Sequence, residues 1–264
     1  MIIPVEKPII EIHDLTVSYH RKPVLWDIDL GFPSGKLIGI VGPNGAGKST
    51  LFKTMMGITP SDSGYVKFFD QKLSKVRKRV SYVPQRMAID WNFPATVYEI
   101  VMMGRYAHMS FLKRPSLADK QIVQEALAQV EMTHLAHRQI GSLSGGQQQR
   151  VFISRALAQQ TDILLLDEPF SGVDTTTERL ILGILQTLVK AGKSVILIHH
   201  SLDVVKHYCD YTVFINMYIH GAGPTEQVFT PEILQATYGG KSTILSNISN
   251  ILHQKSLPVR EKKR

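Results

Sequence analysis

The sequence predicts an α/β fold with a parallel sheet, and three observations point to it. Residues 37–41, 163–166 and 195–198 are unbroken apolar runs, the pattern of strands covered on both faces. Helical segments alternate with them, at 51–56, 118–132, about 146–159 and 175–190. A glycine-rich loop, Gly42 to Thr50, joins the first run to the first helix.

In chain order, 10–13 and 24–30 alternate apolar with polar residues and read as half-exposed strands, a small antiparallel portion before the loop. From about 86 to 159 a mostly helical insertion interrupts the strand–helix alternation and is expected to form a second lobe. Within 175–190, Thr175 and Glu178 have capping-box spacing, and Gly192 suits a helix end. The expected domain is 1–240, followed by a Ser/Asn/Lys-rich tail, 241–264.

Composition narrows the class. With 264 residues, 44% hydrophobic and 20% charged, the chain has ordinary globular content, which excludes collagen-like and wholly disordered proteins. The net charge is +8, but 241–264 hold six basic residues and one acid, or +5. Only +3 remains for the body, so a nucleic-acid partner is not expected. One cysteine, Cys209, allows no internal disulfide and fits a reducing compartment. No stretch approaches the roughly 18 apolar residues of a membrane span, and no leader is expected.

Gly42-Pro43-Asn44-Gly45-Ala46-Gly47-Lys48-Ser49-Thr50 matches G-x-x-x-x-G-K-[ST], between a strand and a helix as the motif requires. Its glycines let successive N–H groups turn inward, and the helix N-terminus adds its positive dipole end at the same point. Phosphate oxygens suit that concavity. Lys48 is expected to reach the β- and γ-phosphates, and the Ser49 hydroxyl to ligate Mg²⁺.

The run 163–166 delivers Asp167 and Glu168 at a strand's C-terminal end, where α/β sheets bind ligands. Asp167 is placed to hold Mg²⁺ through water, and Glu168 to orient or deprotonate an attacking water. Loop and acids together argue for Mg-nucleoside triphosphate hydrolysis.

A second candidate anion site is Leu143-Ser144-Gly145-Gly146-Gln147, a serine and two glycines opening a helix. One γ-phosphate does not need two such loops from one molecule. A head-to-tail dimer, in which each Ser144 loop faces the nucleotide of the other copy, resolves this. At this point the sequence resembles the ATP-binding subunits of ABC transporters over about 10–235, carrying their L-S-G-G-Q pattern intact.

That resemblance implies a P-loop NTPase core of the ABC ATPase type, binding ATP and Mg²⁺. It assigns Tyr19 to stacking on adenine, and Gln85 to touching Mg²⁺ and water while linking the site to the membrane partner. It places Ser171-Gly172-Val173-Asp174 across the dimer interface, where Asp174 also suits a helix N-cap. Of His199 and His200, alignment gives His200 the γ-phosphate contact. Ser201 stands where the family often has aspartate. The spacing of His207, Cys209 and Asp210 matches no zinc pattern.

A finer likeness, in Val83-Pro84-Gln85-Arg86, residues 89–97 and 102–106, is to the branch serving manganese, zinc or iron importers. It implies two integral membrane permease subunits, an indirect solute-binding protein outside, and a peripheral position on the cytoplasmic face of the membrane. Trp91, Phe93, Met102, Met103 and Tyr106 suit a groove for a coupling helix or the lobe's own core. The other readings are an ATPase of a chelate or siderophore importer, and a soluble non-transport ABC ATPase. Against the last, such chains usually carry a long coiled coil or two ATPase halves.

Overall fold

A computed structural model of the chain describes residues 1–85, 94–109 and 114–239. Arg86, Trp91, Phe93 and the tail from 241 lie outside the described residues. In order, the elements are β1 (Ile10–Tyr19), β2 (Lys22–Phe32), β3 (Leu37–Val41), α1 (Lys48–Met55), β4 (Ser63–Phe68), α2 (Leu73–Val76), β5 (Val80–Val83), α3 (Val97–Met102), α4 (Leu117–Gln129), α5 (Gly145–Ala158), β6 (Ile163–Asp167), α6 (Thr175–Lys190), β7 (Ser194–Ile198), α7 (Leu202–Tyr208), β8 (Tyr211–Asn216), β9 (Tyr218–Pro224), α8 (Thr225–Val228) and α9 (Pro231–Tyr238).

Two sheets result. The larger has the order β5-β6-β7-β3-β8-β9, parallel except for the antiparallel edge strand β9. The smaller is antiparallel, β2-β1-β4. The third strand, β4, follows the glycine-rich loop, so the small sheet is not confined to the chain before it; strand pairing is a tertiary choice that local alternation does not specify.

The unbroken apolar runs follow from burial on two sides. Leu37, Val41, Leu164, Leu166, Val195 and Leu197 face a core shared with α3 to α6. Their neighbours Ile38, Ile40, Ile163, Leu165, Ile196 and Ile198 face the opposite core, shared with α1 and the small sheet. Side chains alternate between faces, and both faces are apolar, so no polar position is left. Each fully buried Leu or Ile contributes about 1.5–3 kcal/mol, enough in sum to fix the register on which the site depends.

Helix starts are specified locally. Thr96/Glu99, Ser116/Asp119 and Ser144/Gln147 form complete capping boxes on α3, α4 and α5. Of the two expected caps on α6, Thr175 and Asp174, the structure uses Asp174: its Oδ1 accepts from the N–H groups of Thr176 and Thr177, both at 2.9 Å, and Thr175 lies inside the helix. Gly192 follows the helix end with φ +82°, as expected.

Arg105 ties the helical region together. From a short 3₁₀ segment (Met103–His108), its Nε donates to Asp119 on α4 (2.9 Å) and its Nη1 to the Ala158 carbonyl at the end of α5 (2.9 Å). The Ser116 hydroxyl, with Arg105 beside it, holds the Asp119 carboxyl down at about 2. A depressed folded-state pKa gives stability that is present above the unfolded value near 3.9 and lost as pH falls toward 2. Thermal midpoints of the parental chain and Asp119→Asn are therefore expected to differ above pH 4 and to converge between about pH 4 and 2.

Candidate functional site

The parallel sheet collects the site along one edge. Strands β5, β6, β7 and β3 lie side by side and run the same way. Their C-terminal ends present, in that order, Gln85, Asp167 with Glu168, His199 with His200, and the loop 42–47 that enters α1. The neighbours of β3 on either side come from much later in the chain, so the loop sits where the strand order reverses, the usual ligand crevice of such sheets.

The loop's shape depends on glycine at three positions, one of them Gly45, whose φ of +82° L side chains rarely adopt. Gly47 has φ +93°, and a Cβ there would sit 2.5 Å from Leu25 Cδ2. A Cβ on Gly42 would overlap the Ile215 carbonyl oxygen. The small sheet and β8 thus press the loop into place from both sides.

Above the loop is a cleft of about 520 Å³ lined by Tyr19, Val24, residues 44–50, Gln85 and Glu168. Tyr19 is carried to the rim by the tight β1–β2 turn, in which His20 and Arg21 have φ of 50° and 63°. Its hydroxyl lies 3.5 Å from Thr59 Oγ1, and the residue is 43% exposed. Gln85 Nε2 donates to Glu168 Oε2 over 2.8 Å. Glu168 holds φ +50°, sparsely populated for a non-glycine residue and costly unless the surroundings enforce it.

Beneath the cleft, Ser49 Oγ donates to Asp167 Oδ1 (2.9 Å) and Tyr82 Oη to Asp167 Oδ2 (3.3 Å). Burial raises the Asp167 carboxyl above its usual value, against the pull of those two hydroxyls. Lys48 is buried and donates to the carbonyls of Gly42 (2.8 Å) and Pro43 (2.9 Å). Burial lowers its pKa, while Glu168 and Asp167 act the other way. The floor combines an ammonium, a hydroxyl and a carboxylate, a donor set that suits a phosphate together with a hard cation.

Not every expected residue lies in this cleft. Ser144, Gly145, Gly146, Gln147 and Asp174 are absent from its lining. Ser144 is exposed and caps α5, exchanging hydrogen bonds with Gln147 (3.0 and 3.4 Å). Gly146 instead faces the Asp174 loop: a Cβ on it would stand 3.8 Å from Val173 Cγ1 and 3.9 Å from Asp174 Oδ2. The N-termini of α5 and α6 therefore form one surface. His200 is exposed at the end of β7, whereas His199 is buried. Met102 belongs to the core and Tyr106 is 56% exposed. Tyr82 was not expected at the site; it occupies an ordinary strand position, and its bond to Asp167 depends on the neighbouring strand.

The family model described as "ABC transporter" matches residues 25–171, more than half of the chain. The chain belongs to the ABC transporter family. Curated relatives of this ABC chain include the manganese transport system ATP-binding protein MntB of Bacillus subtilis, 50% identical over 90% of this chain and 95% of the relative. Another is the zinc transport system ATP-binding protein TroB of Treponema pallidum, 47% identical over 88% and 87%. Among solved structures, an inward-facing ABC transporter described as metal-chelate type is similar with TM-score 0.76 and 29% identity, covering 88% of each chain. Membership bears out the expected α/β cassette fold, and with it nucleotide binding.

Proposed function

We propose that this chain is the ATP-hydrolysing subunit of a multi-subunit ABC importer for a divalent metal: manganese, zinc or iron. The observation that carries the reading is that Asp167, Glu168 and Gln85, at the ends of neighbouring strands, face a glycine-shaped phosphate loop whose Ser49 donates to Asp167. The transport systems named for the manganese and zinc relatives supply the cargo class.

In this reading Tyr19 stacks on adenine at the rim, and the N–H groups of residues 44–50 with Lys48 hold the phosphates. Ser49 and Asp167, with Gln85 beside them, fit a Mg²⁺ ion, which when bound neutralises phosphate charge. Glu168 takes the proton from the attacking water, and Gln85 fixes the orientation of its carboxylate. His200 meets the γ-phosphate from the next strand. Ser144 to Gln147 and Asp174 complete the site from a second copy arranged head to tail: they form one exposed surface outside their own cleft. Nucleotide closes the pair and hydrolysis reopens it.

Among the described residues no helix is long and apolar enough to cross a membrane. In this reading, which the transport systems of the relatives suggest, the chain works against integral permease subunits from the cytoplasmic face, and a solute-binding protein engages those subunits on the other side. Cells lacking this chain are expected to lose saturable uptake of radiolabelled manganese, zinc or iron. The parental chain should restore it and Glu168→Gln should not; unchanged uptake of all three metals in cells lacking the chain would refute the assignment.

A further inference from the structure

His199 is buried, 2% exposed, at the end of β7. Its ring stacks on His200, centroids 5.0 Å apart and planes 19° apart, and leans on Phe170 at 5.1 Å. The Ser201 N–H donates to Nδ1 over 2.8 Å. Burial lowers its pKa to about 4, so the ring is neutral, and with Nδ1 accepting, the proton sits on Nε2. That Nε2–H is buried without a hydrogen bond in this arrangement, and Glu178 Oε1 stands 3.4 Å away. Glu178 lies in the first turn of α6, the helix capped by Asp174.

A buried donor with no partner is costly, and an apolar residue of similar size would avoid the cost. What the imidazole supplies instead is a connection on every side. Its acceptor face holds the turn that carries His200, its plane supports the His200 ring, and its donor face meets the helix that starts at the Asp174 loop.

We infer that His199 is a positioning residue for His200, holding its ring by stacking and fixing the 199–201 turn through the Ser201 N–H. It also links that turn to α6 through Glu178. The inference rests on the role given above to His200. Through the Nε2–Glu178 approach at 3.4 Å, a movement at the Asp174 end of α6 is passed to the turn that carries His200.

The test is steady-state and single-turnover ATP hydrolysis by the full chain, with nucleotide affinity measured in parallel. His199→Phe keeps a ring against His200 but cannot accept from Ser201. It is expected to lower kcat about 10- to 100-fold, as a misplaced reactive group does, with affinity kept within about twofold. His199→Asn restores an acceptor and should regain at least about threefold over the Phe variant. In a His200→Ala background His199→Phe should change turnover by less than about twofold, because residues acting through one another are not additive.

A parental rate in His199→Phe, an undiminished loss in the His200→Ala background, or no gain from Asn would each overturn the inference. Should His199→Phe not fold, Glu178→Leu, which removes the acceptor facing Nε2, carries the same comparison: its loss of turnover should vanish in the His200→Ala background, and persistence there would overturn the inference too. A parental rate in His200→Ala would instead remove the role given to His200, a separate failure read from that single variant.

Discussion

Replacing Glu168 with glutamine is expected to lower ATP turnover by about 10²- to 10⁴-fold, the range lost when a positioned general base is removed. The two side chains are nearly isosteric, and Gln85, which donates to Oε2 over 2.8 Å, can donate equally to an amide oxygen. The backbone at φ +50° is unaffected by the exchange. Binding should therefore persist while the proton acceptor is gone, and the closed pair should accumulate with unhydrolysed nucleotide. Size-exclusion chromatography with ATP and Mg²⁺, alongside phosphate release, checks both parts. A variant that turns over at the parental rate would show that another group accepts the proton.

Lys48→Ala is expected to act one step earlier, on binding. The ammonium is buried and held by the Gly42 and Pro43 carbonyls at 2.8 and 2.9 Å, already desolvated beneath the cleft. A charge-assisted hydrogen bond to a phosphate in such a place contributes about 1.5–3 kcal/mol. Its loss should weaken nucleotide affinity by about 10- to 150-fold. Titration with a fluorescent ATP analogue measures this directly, and unchanged affinity would place the phosphates elsewhere. The two variants thus separate: Glu168→Gln binds without turning over, and Lys48→Ala does not bind well enough to turn over.

Much of this site was legible because its parts carry their mechanism locally. The loop from Gly42 to Thr50 carries the G-x-x-x-x-G-K-[ST] spacing between a strand and a helix, and Asp167 ends a run whose burial on both faces is written in its composition. Other features were illegible because they are settled across the fold. Tyr82 reaches Asp167 only because β5 pairs with β6 in the register Tyr82 to Leu165. Asp174 rather than Thr175 caps α6 because the 171–174 loop delivers its carboxylate to two free N–H groups, and adjacent candidates in the sequence do not reveal which will be served. Two consecutive histidines look alike in sequence; the end of β7 buries His199 and exposes His200. Nothing local in β4 shows that it pairs with β1 across the glycine-rich loop and α1.

The central claim is that the pocket is shared, with the loop at Lys48 from one copy and the turn at Ser144 from the other. It predicts complementation between two dead proteins. Lys48→Ala keeps a good Ser144 turn and Ser144→Arg keeps a good phosphate loop, so each alone should hydrolyse ATP poorly. Mixed in equal amounts, half of the pairs formed at random contain one intact pocket, and turnover should recover to about a quarter of the parental value per chain, if the subunits combine freely and each pocket works independently. A mixture no more active than its separate parts, or a Ser144→Arg protein active alone, would contradict the shared pocket.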